Sequence, residues 1–179
     1  MKNQFMINNQ NFMNINQNLL MTQTIMFNIN SVDFRDCFLY NQKTECFTGE
    51  NAMYCNYCKN TLPSYYQSFL YTSPEILIII LNRGKGCEFN VKYEFEEYLN
   101  LYDYVQRKEF GYEYNLIGVV THMGESGVNG HFISFNKSPI DKNWYQYNDE
   151  YVSKVNNFKK EIIDYEKPCI LFYQKINYN

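Results

Sequence analysis

The stretch YNLIGVVTHMGESGVNGHFISF, residues 114–135, carries the strongest structural signal in this sequence. Apolar residues dominate both of its ends, and a glycine-rich segment, MGESGVNG at 123–130, separates them. Apolar runs on either side of glycine and asparagine predict two strands joined by a loop. His131 follows this loop directly and opens the second strand, HFISF. The pattern therefore places an imidazole at a strand edge, where a general base could reach a substrate.

Further strands are predicted on both sides of this stretch. Upstream, the run at 76–81 is continuously apolar, which predicts a strand buried on both faces. Residues 87–95 alternate apolar and polar, which predicts a half-buried strand. Downstream, residues 144–147 and 169–173 continue the series, and residues 150–155 fit either one helical turn or a strand edge. The chain is therefore predicted to be mainly β.

A histidine base needs a partner that fixes its tautomer. The turn-forming segment NKSPIDKN at 136–143 precedes the strand 144–147, and an antiparallel hairpin would bring position 131 close to position 148. Asn148 and Asp149 are thus candidate partners. Asn-Asp is also a common turn dipeptide, so a purely structural interpretation stays open.

The first part of the chain has a different composition. Residues 1–30 are rich in Asn and Gln, which predicts a poorly ordered segment, with a strand near 19–29 as the alternative. Ser31 is predicted to cap a short helix over 32–41. Residues 44–60 contain glycine, asparagine and cysteine and are predicted to form a loop or a hairpin.

Cysteines 55 and 58 form a CxxC pair with metal-chelating spacing. Such a pair supplies two of the four ligands of a tetrahedral zinc site. Cys37 and Cys46 could in principle complete it, and two ordinary loop thiols are the alternative. The two other cysteines lie in predicted strands, where core packing is the better interpretation: Cys87 and Cys169.

Composition excludes several classes of protein. The 179 residues are 45% hydrophobic and carry a formal net charge of −3, so a packed core is expected and non-specific nucleic-acid binding is not. No apolar run approaches the roughly 20 residues that span a bilayer, and no signal peptide is evident. We therefore expect an intracellular protein with reduced thiols and no membrane partner. The 18 tyrosines favour a protein partner.

Five segments, taken together and in order, resemble motifs of the ubiquitin-specific proteases, the papain-like deubiquitinases. These segments are ENAMYCNYCKN at 50–60, PEILIIILNRG at 74–84, the opening stretch at 114–135, WYQYND at 144–149 and CILFYQK at 169–175. The resemblance implies an α+β, papain-like cysteine peptidase fold with a mostly antiparallel β palm. It implies a remnant of zinc-ribbon fingers at 44–72 and a palm at 74–175, within a partial catalytic domain over 31–175.

The resemblance also implies roles for individual residues. His131 falls on the catalytic histidine, Asn148 on the third member of the triad and Asp149 on an assisting acidic position. His122 falls on a non-catalytic position. Three residues fall on or beside the loop next to the ubiquitin tail and are expected to bind substrate: Gly124, Gly130 and Phe132. Cys55 and Cys58 match one half of a structural zinc site, and no cofactor is expected for catalysis.

The sequence departs from the family at the nucleophile. The family's G-N-T-C-Y segment and its first zinc CxxC have no counterpart, and Cys37 falls on an ordinary helical position. We therefore expect the C-terminal part of a cysteine deubiquitinase, without the thumb and inactive alone, acting on ubiquitin or ubiquitinated proteins. A thumb segment in another chain could complete it. A non-catalytic ubiquitin-binding module and a degenerate remnant are the alternatives, and the expected location is the cytoplasm or nucleus.

Overall fold

A computed structural model describes residues 5–8, 31–83, 91–126, 129–165 and 167–177 of the chain. The strands are β1 Phe5–Asn8, β2 Ser31–Asp33, β3 Glu45–Phe47, β4 Met53–Cys55, β5 Asn60–Leu62, β6 Ser64–Tyr66, β7 Ile76–Asn82, β8 Lys92–Glu94, β9 Tyr98–Asn100, β10 Glu113–Ser126, β11 Asn129–Lys137, β12 Trp144–Asn148, β13 Tyr151–Lys154 and β14 Pro168–Lys175. One α-helix, α1, spans Phe34–Asn41, and short helical turns span Gly49–Asn51, Lys108–Phe110 and Lys159–Ile163. The mainly β composition is as the sequence predicts.

Eight of these strands form one sheet in the order β1-β7-β14-β10-β11-β12-β13, with β9 pairing the start of β10. The β1–β7 pair is parallel and the other pairs are antiparallel. Strand β10 lies at the centre, since it pairs with β14 on one side and β11 on the other. A bulge between Leu116 and Gly118 changes which residues of β10 face the core. Leu116 is buried before the bulge, and Val119 and Thr121 are buried after it.

The apolar run of β7 is covered unevenly. Leu77, Ile79 and Leu81 are buried, whereas Ile78 is only half-buried and Ile76 is exposed. The prediction of a strand buried on both faces was therefore wrong, because the second face of this strand is only partly covered in the described chain. An unbroken apolar run does not by itself report how well each face is covered.

Two buried cationic side chains hydrogen-bond the ends of the central strands to neighbouring loops. Arg83 donates from Nε to the carbonyl oxygen of Pro168 at 3.1 Å and from a terminal nitrogen to that of Val91 at 2.7 Å. At the opposite end of β14, Lys175 donates to the carbonyl oxygen of Ser73 at 2.8 Å. Buried charges need such partners, and these bonds fix where the loops cross the sheet.

Helix α1 begins later than the sequence predicts. Ser31 lies in β2, which pairs with β8, so it does not cap the helix. The cap is Asp33, whose side chain accepts from the backbone N–H of Asp36, while the Asp36 side chain accepts from the N–H of Asp33. This reciprocal pair satisfies two backbone donors at the helix start.

Residues 44–66 form two small hairpins, β3 with β6 and β4 with β5, which we call the finger hairpins. The predicted loop or hairpin is therefore a pair of hairpins, with mostly exposed side chains.

Residues 151–154 form strand β13, so the strand edge is the correct one of the two alternatives predicted for residues 150–155. The first part of the predicted 87–95 strand and most of the Asn- and Gln-rich segment lie outside the described residues. No helix in the described part of the chain is long and apolar enough to cross a bilayer.

Candidate active site

His131 and Asn148 meet at one end of the main sheet. Strands β11 and β12 pair antiparallel, with Ser134 opposite Tyr147, so the start of β11 lies beside the end of β12. The His131 Nε2 atom lies 2.6 Å from Oδ1 of Asn148. The hairpin geometry inferred from the 136–143 turn thus does bring these two side chains together.

This contact fixes which imidazole nitrogen carries the proton. A carboxamide oxygen can only accept a hydrogen bond, so Nε2 of neutral His131 is the donor to Asn148. The proton-accepting nitrogen is then Nδ1. The His131 side chain is 43% exposed. The arrangement is an oriented imidazole with solvent access, which can take a proton from a group on its Nδ1 side.

Asp149 contributes at longer range. Its Oδ2 atom lies 3.7 Å from the same Nε2 atom of His131, beyond hydrogen-bond distance, and its side chain is 74% exposed. Asp149 adopts a left-handed φ of 50° in the two-residue turn between β12 and β13. Asp tolerates this region better than most residues, so the turn can direct the carboxylate back toward His131.

The connection between β11 and β12 is itself well bonded. The Asp141 carboxylate accepts from the backbone N–H of Asn143 at 3.1 Å and from the Tyr145 hydroxyl at 2.7 Å. Hydrogen bonds from Asn143, Tyr145 and Ser138 hold the pKa of Asp141 well below its usual range. These bonds fix the turn that sets the β11–β12 register, and thereby the His131–Asn148 distance.

The glycine-rich segment is largely strand, which corrects the prediction of a loop over 123–130. Strands β10 and β11 pair from Gly118 opposite Asn136 to Met123 opposite His131, and pairing resumes at Ser126 opposite Asn129. One extra residue of β10 lies between these pairs, which makes a bulge. Gly124 lies in this bulge with a φ of 123°, a conformation that favours glycine.

Gly130, His122 and Phe132 surround the backbone before His131. A Cβ atom at Gly130 would lie 1.9 Å from Nε2 of His122 and 2.7 Å from the carbonyl oxygen of Met123. His122 is buried, and its ring lies 4.8 Å from the Phe132 ring, which is exposed on its other side. The three predicted substrate-binding residues, Gly124, Gly130 and Phe132, therefore all lie at the His131 end of the β10–β11 pair.

The described thiols have different environments. Cys37 is 2% exposed in α1, and burial, followed by the charges of Asp36 and Asp33, raises the pKa of its thiol to about 12. Such a thiol supplies almost no thiolate near neutral pH. Cys169 is half-buried and contacts the carbonyl oxygen of Lys167. Cys87 lies outside the described residues.

Cys55 and Cys58 share the turn between β4 and β5. The backbone N–H of Cys58 approaches Cys55 Sγ at 3.5 Å. Hydrogen bonds from the Cys58 thiol and from backbone N–H groups lower the pKa of Cys55, and the same thiol contact raises the pKa of Cys58. Within the described residues no group of three or more His, Cys, Asp or Glu side chains converges on a metal position. Cys37 and Cys46 therefore do not join this pair in the described part of the chain.

Comparison with known proteins assigns this architecture. The sequence model of the ubiquitin carboxyl-terminal hydrolases matches residues 7–173. The chain belongs to this family. Its papain-like, sheet-rich fold agrees with that of solved family members.

Curated relatives are longer than this chain. Ubiquitin carboxyl-terminal hydrolase 17-like protein D of Mus musculus is 29% identical over 136 residues, which are 74% of this chain and 24% of the relative. Ubiquitin carboxyl-terminal hydrolase 48 of Rattus norvegicus is 29% identical over 134 residues, which are 71% of this chain and 13% of the relative. The chain therefore spans about a quarter or less of these proteins.

Solved structures of longer chains also match most of this chain. The SAGA Ubp8/Sgf11/Sus1/Sgf73 DUB module bound to ubiquitin aldehyde matches with a TM-score of 0.63 and 27% identity over 83% of this chain and 36% of that chain. The same module with a substituted Ubp8, bound to monoubiquitin, matches with a TM-score of 0.64 and 26% identity over 83% of this chain and 35% of that chain. These neighbours share the fold of the described sheet and include complexes with ubiquitin.

The sequence predicts the proximity of His131 and Asn148 but not the packing of His122 against Gly130. The sequence shows that a glycine, Gly130, directly precedes His131. Its packing against His122 depends on the β10–β11 register, and no spacing in the sequence specifies that register.

Proposed function

We propose that this chain is the C-terminal, histidine-bearing part of the catalytic domain of a cysteine-type deubiquitinase, which hydrolyses the peptide or isopeptide bond at the ubiquitin C-terminus. The observation that carries this proposal is the 2.6 Å contact between His131 Nε2 and Asn148 Oδ1 at the exposed end of the sheet. Family membership makes ubiquitin the expected substrate, and the two side chains are the base and its orienting partner.

In the proposed reaction, Nδ1 of His131 takes the proton from a cysteine thiol, and the thiolate attacks the carbonyl carbon at the ubiquitin C-terminus. His131 then gives this proton to the leaving amine as the carbon–nitrogen bond breaks, which leaves ubiquitin bound as a thioester. A water molecule, deprotonated by His131, hydrolyses the thioester and regenerates the thiol. Asn148 holds the proton on Nε2 so that Nδ1 faces the thiol, and the Asp149 carboxylate lies 3.7 Å from the same Nε2 atom.

This proposal places the nucleophilic cysteine outside the 179 residues, because the family's G-N-T-C-Y segment has no counterpart in the sequence. Among the described thiols, Cys37 is buried with a raised pKa, Cys169 is half-buried on β14, and the remaining three belong to the finger hairpins rather than to the His131 end of the sheet: Cys46, Cys55 and Cys58. The chain is therefore proposed to be inactive alone and to need a thumb segment that carries the nucleophile, on the same longer protein or on another chain. Cytoplasm or nucleus is the proposed location.

Zinc is a proposed structural component. Cys55 and Cys58 would supply two thiolate ligands, and two further ligands would come from residues outside the described pair. The metal would fix the turn between β4 and β5, and it would have no part in the proton transfers of His131.

A thiol-trapping ubiquitin probe tests the proposed enzyme. The chain alone should form no covalent adduct, whereas the chain joined behind the nucleophile-bearing segment of a family member, which we call the complemented chain, should form an adduct on that segment's cysteine. His131→Ala in the complemented chain should remove most of the labelling. An adduct on Cys37, or labelling that does not depend on His131, would contradict the proposal.

A non-catalytic ubiquitin-binding module is the second candidate, favoured by the exposed aromatic surface of the finger hairpins. Tyr57 is 97% exposed, and Tyr54, Tyr65 and Tyr66 are also exposed there. Exposed tyrosines are common at protein interfaces. Ubiquitin titration of the chain, with Tyr57→Ser as the variant, measures this function directly. Binding by the chain together with an inactive complemented chain would favour the module over the enzyme.

A further inference from the structure

His122 occupies the space in which a side chain at position 130 would stand. A Cβ atom built on Gly130 would lie 1.9 Å from Nε2 and 2.4 Å from Cε1 of His122. Both distances are far below ordinary van der Waals contact. Gly130 is not among the glycines with a left-handed φ, so its requirement for glycine is one of space rather than of backbone conformation.

The His122 ring is held by the surrounding structure. His122 pairs with Phe132 across β10 and β11, their rings lie 4.8 Å apart, and the side chain is buried. The backbone N–H of His122 donates to the carbonyl oxygen of Lys167 at 3.1 Å, which ties this point of β10 to the chain before β14. A ring held in this way resists displacement by the backbone that packs against it at Gly130.

We propose that His122 is a positioning residue for His131. Its ring and the glycine at 130 together set how closely the start of β11 approaches β10, one residue before the imidazole that bonds Asn148. Met123, which follows His122, pairs directly with His131. A change in this spacing moves the His131 backbone, while Asn148 stays in place on β12 because its position depends on the β11–β12 turn. His122 thereby acts on proton transfer through geometry and does not itself touch the substrate.

This inference rests on the proposed role of His131 as the base. It predicts a specific coupling between two substitutions. Gly130→Ala places a methyl group on the His122 ring and should push the start of β11 away from β10. His122→Ala removes the ring, so the same methyl group would then meet mainly the Met123 carbonyl oxygen at 2.7 Å. The double variant should therefore retain a higher kcat than Gly130→Ala alone.

Two measurements test this coupling. The first is ubiquitin cleavage by the complemented chain, where a displacement near 1 Å should lower kcat by about 100-fold for Gly130→Ala. The second is long-range ¹H–¹⁵N NMR of the chain alone, which reports the His131 tautomer without any activity. Gly118→Ala is the matched control, since Gly118 also lies on the central β10–β11 pair and a Cβ atom there would meet Asn136 Oδ1 at 3.0 Å.

The expected results are a loss of the Nε2–H tautomer in Gly130→Ala, its partial return in the double variant, and an unchanged tautomer in Gly118→Ala. His122→Gln, which refills part of the space, should retain more kcat than His122→Ala. Strictly additive losses, or an unchanged His131 tautomer in both Gly130→Ala and His122→Ala, would overturn the inference. If the tautomer coupling is found but the complemented chain cleaves nothing, the positioning stands and the proposed function fails.

Discussion

The His131 end of the main sheet and the finger hairpins are both built from antiparallel strand pairs, but they differ in how well their side chains are packed. At the His131 end, β10, β11 and β12 are neighbours in one eight-stranded sheet over a continuous core. The finger hairpins are two separate two-stranded pairs with mostly exposed side chains. A side-chain pair in the first region is therefore fixed by packing, whereas the thiol pair in the second is fixed only by its own turn.

This difference in packing bears on the two sites, the His131–Asn148 pair and the proposed zinc site. Register within a packed sheet sets the 2.6 Å contact between His131 and Asn148 without any ligand. Isolated two-stranded hairpins are marginally stable in water, so binding of the proposed zinc ion would make the Cys55–Cys58 turn better defined.

The largest expected effect is on catalysis at His131. His131→Ala in the complemented chain should lower kcat by about 10²–10⁴-fold, because general acid–base catalysis contributes on that order. Steady-state cleavage of a ubiquitin fusion measures it. Ser153→Ala on the exposed edge strand β13 is the control and should leave kcat unchanged. A kcat for His131→Ala close to that of the native residue would remove His131 as the base.

Stability should differ between the two regions. Leu116 is fully buried on β10, so Leu116→Ala should lower the free energy of unfolding by about 2–5 kcal/mol. Tyr57→Ala on the finger hairpins should change it by less than about 0.5 kcal/mol, as for other exposed positions. Urea denaturation followed by circular dichroism measures both. Equal losses at the two positions would mean that the finger hairpins are part of the same packed unit.

The two partners of His131 should differ in importance. Asn148→Ala removes the acceptor at 2.6 Å and should lower kcat of the complemented chain by about tenfold or more, because the tautomer is no longer fixed. Asp149→Ala should lower kcat by less than about fivefold, because the Asp149 carboxylate is 74% exposed and lies 3.7 Å from Nε2, beyond hydrogen-bond distance. Asn148→Asp retains an acceptor and serves as the matched variant. A larger loss for Asp149→Ala than for Asn148→Ala would reverse these roles.

An effect confined to alkaline pH separates the buried thiol from the exposed ones. Burial raises the pKa of Cys37 from 9.0 to about 12 in the folded chain. Because the unfolded chain releases this proton first, the contribution to stability is full below pH 9 and is lost as pH rises toward 12. Native Cys37 should therefore give a steeper loss of stability above pH 9 than Cys37→Ala, measured by denaturation at several pH values. Identical slopes for the two proteins would show that Cys37 ionises normally.

Much of the main sheet could be predicted from the sequence. The alternating and apolar segments around 114–135 carry the period of strands, and a short turn forces the antiparallel pairing that joins His131 to Asn148. The sequence could not place the helix cap, because Ser31 and Asp33 are both good caps and the choice depends on the pairing of β2 with β8.

The site could be predicted only where local geometry determines it. His131 and Asn148 are connected by one hairpin, so their approach follows from chain direction. The contact of His122 with Gly130 depends on the register across β10 and β11 and on the bulge at Gly124, which absorbs one residue. The nested pairing of β3 with β6 around β4 and β5 likewise requires long-range contacts that no short motif encodes.

The His131 tautomer tests the central claim most directly. Long-range ¹H–¹⁵N NMR at alkaline pH, where an imidazole is neutral, resolves the proton on each ring nitrogen, and the chain has only two histidines. Comparison with His131→Ala assigns the resonances. We expect the proton on Nε2 of His131, with Nδ1 left to accept, and a shift toward a mixture in Asn148→Ala. A proton on Nδ1 in the native chain, unaffected by Asn148→Ala, would contradict it.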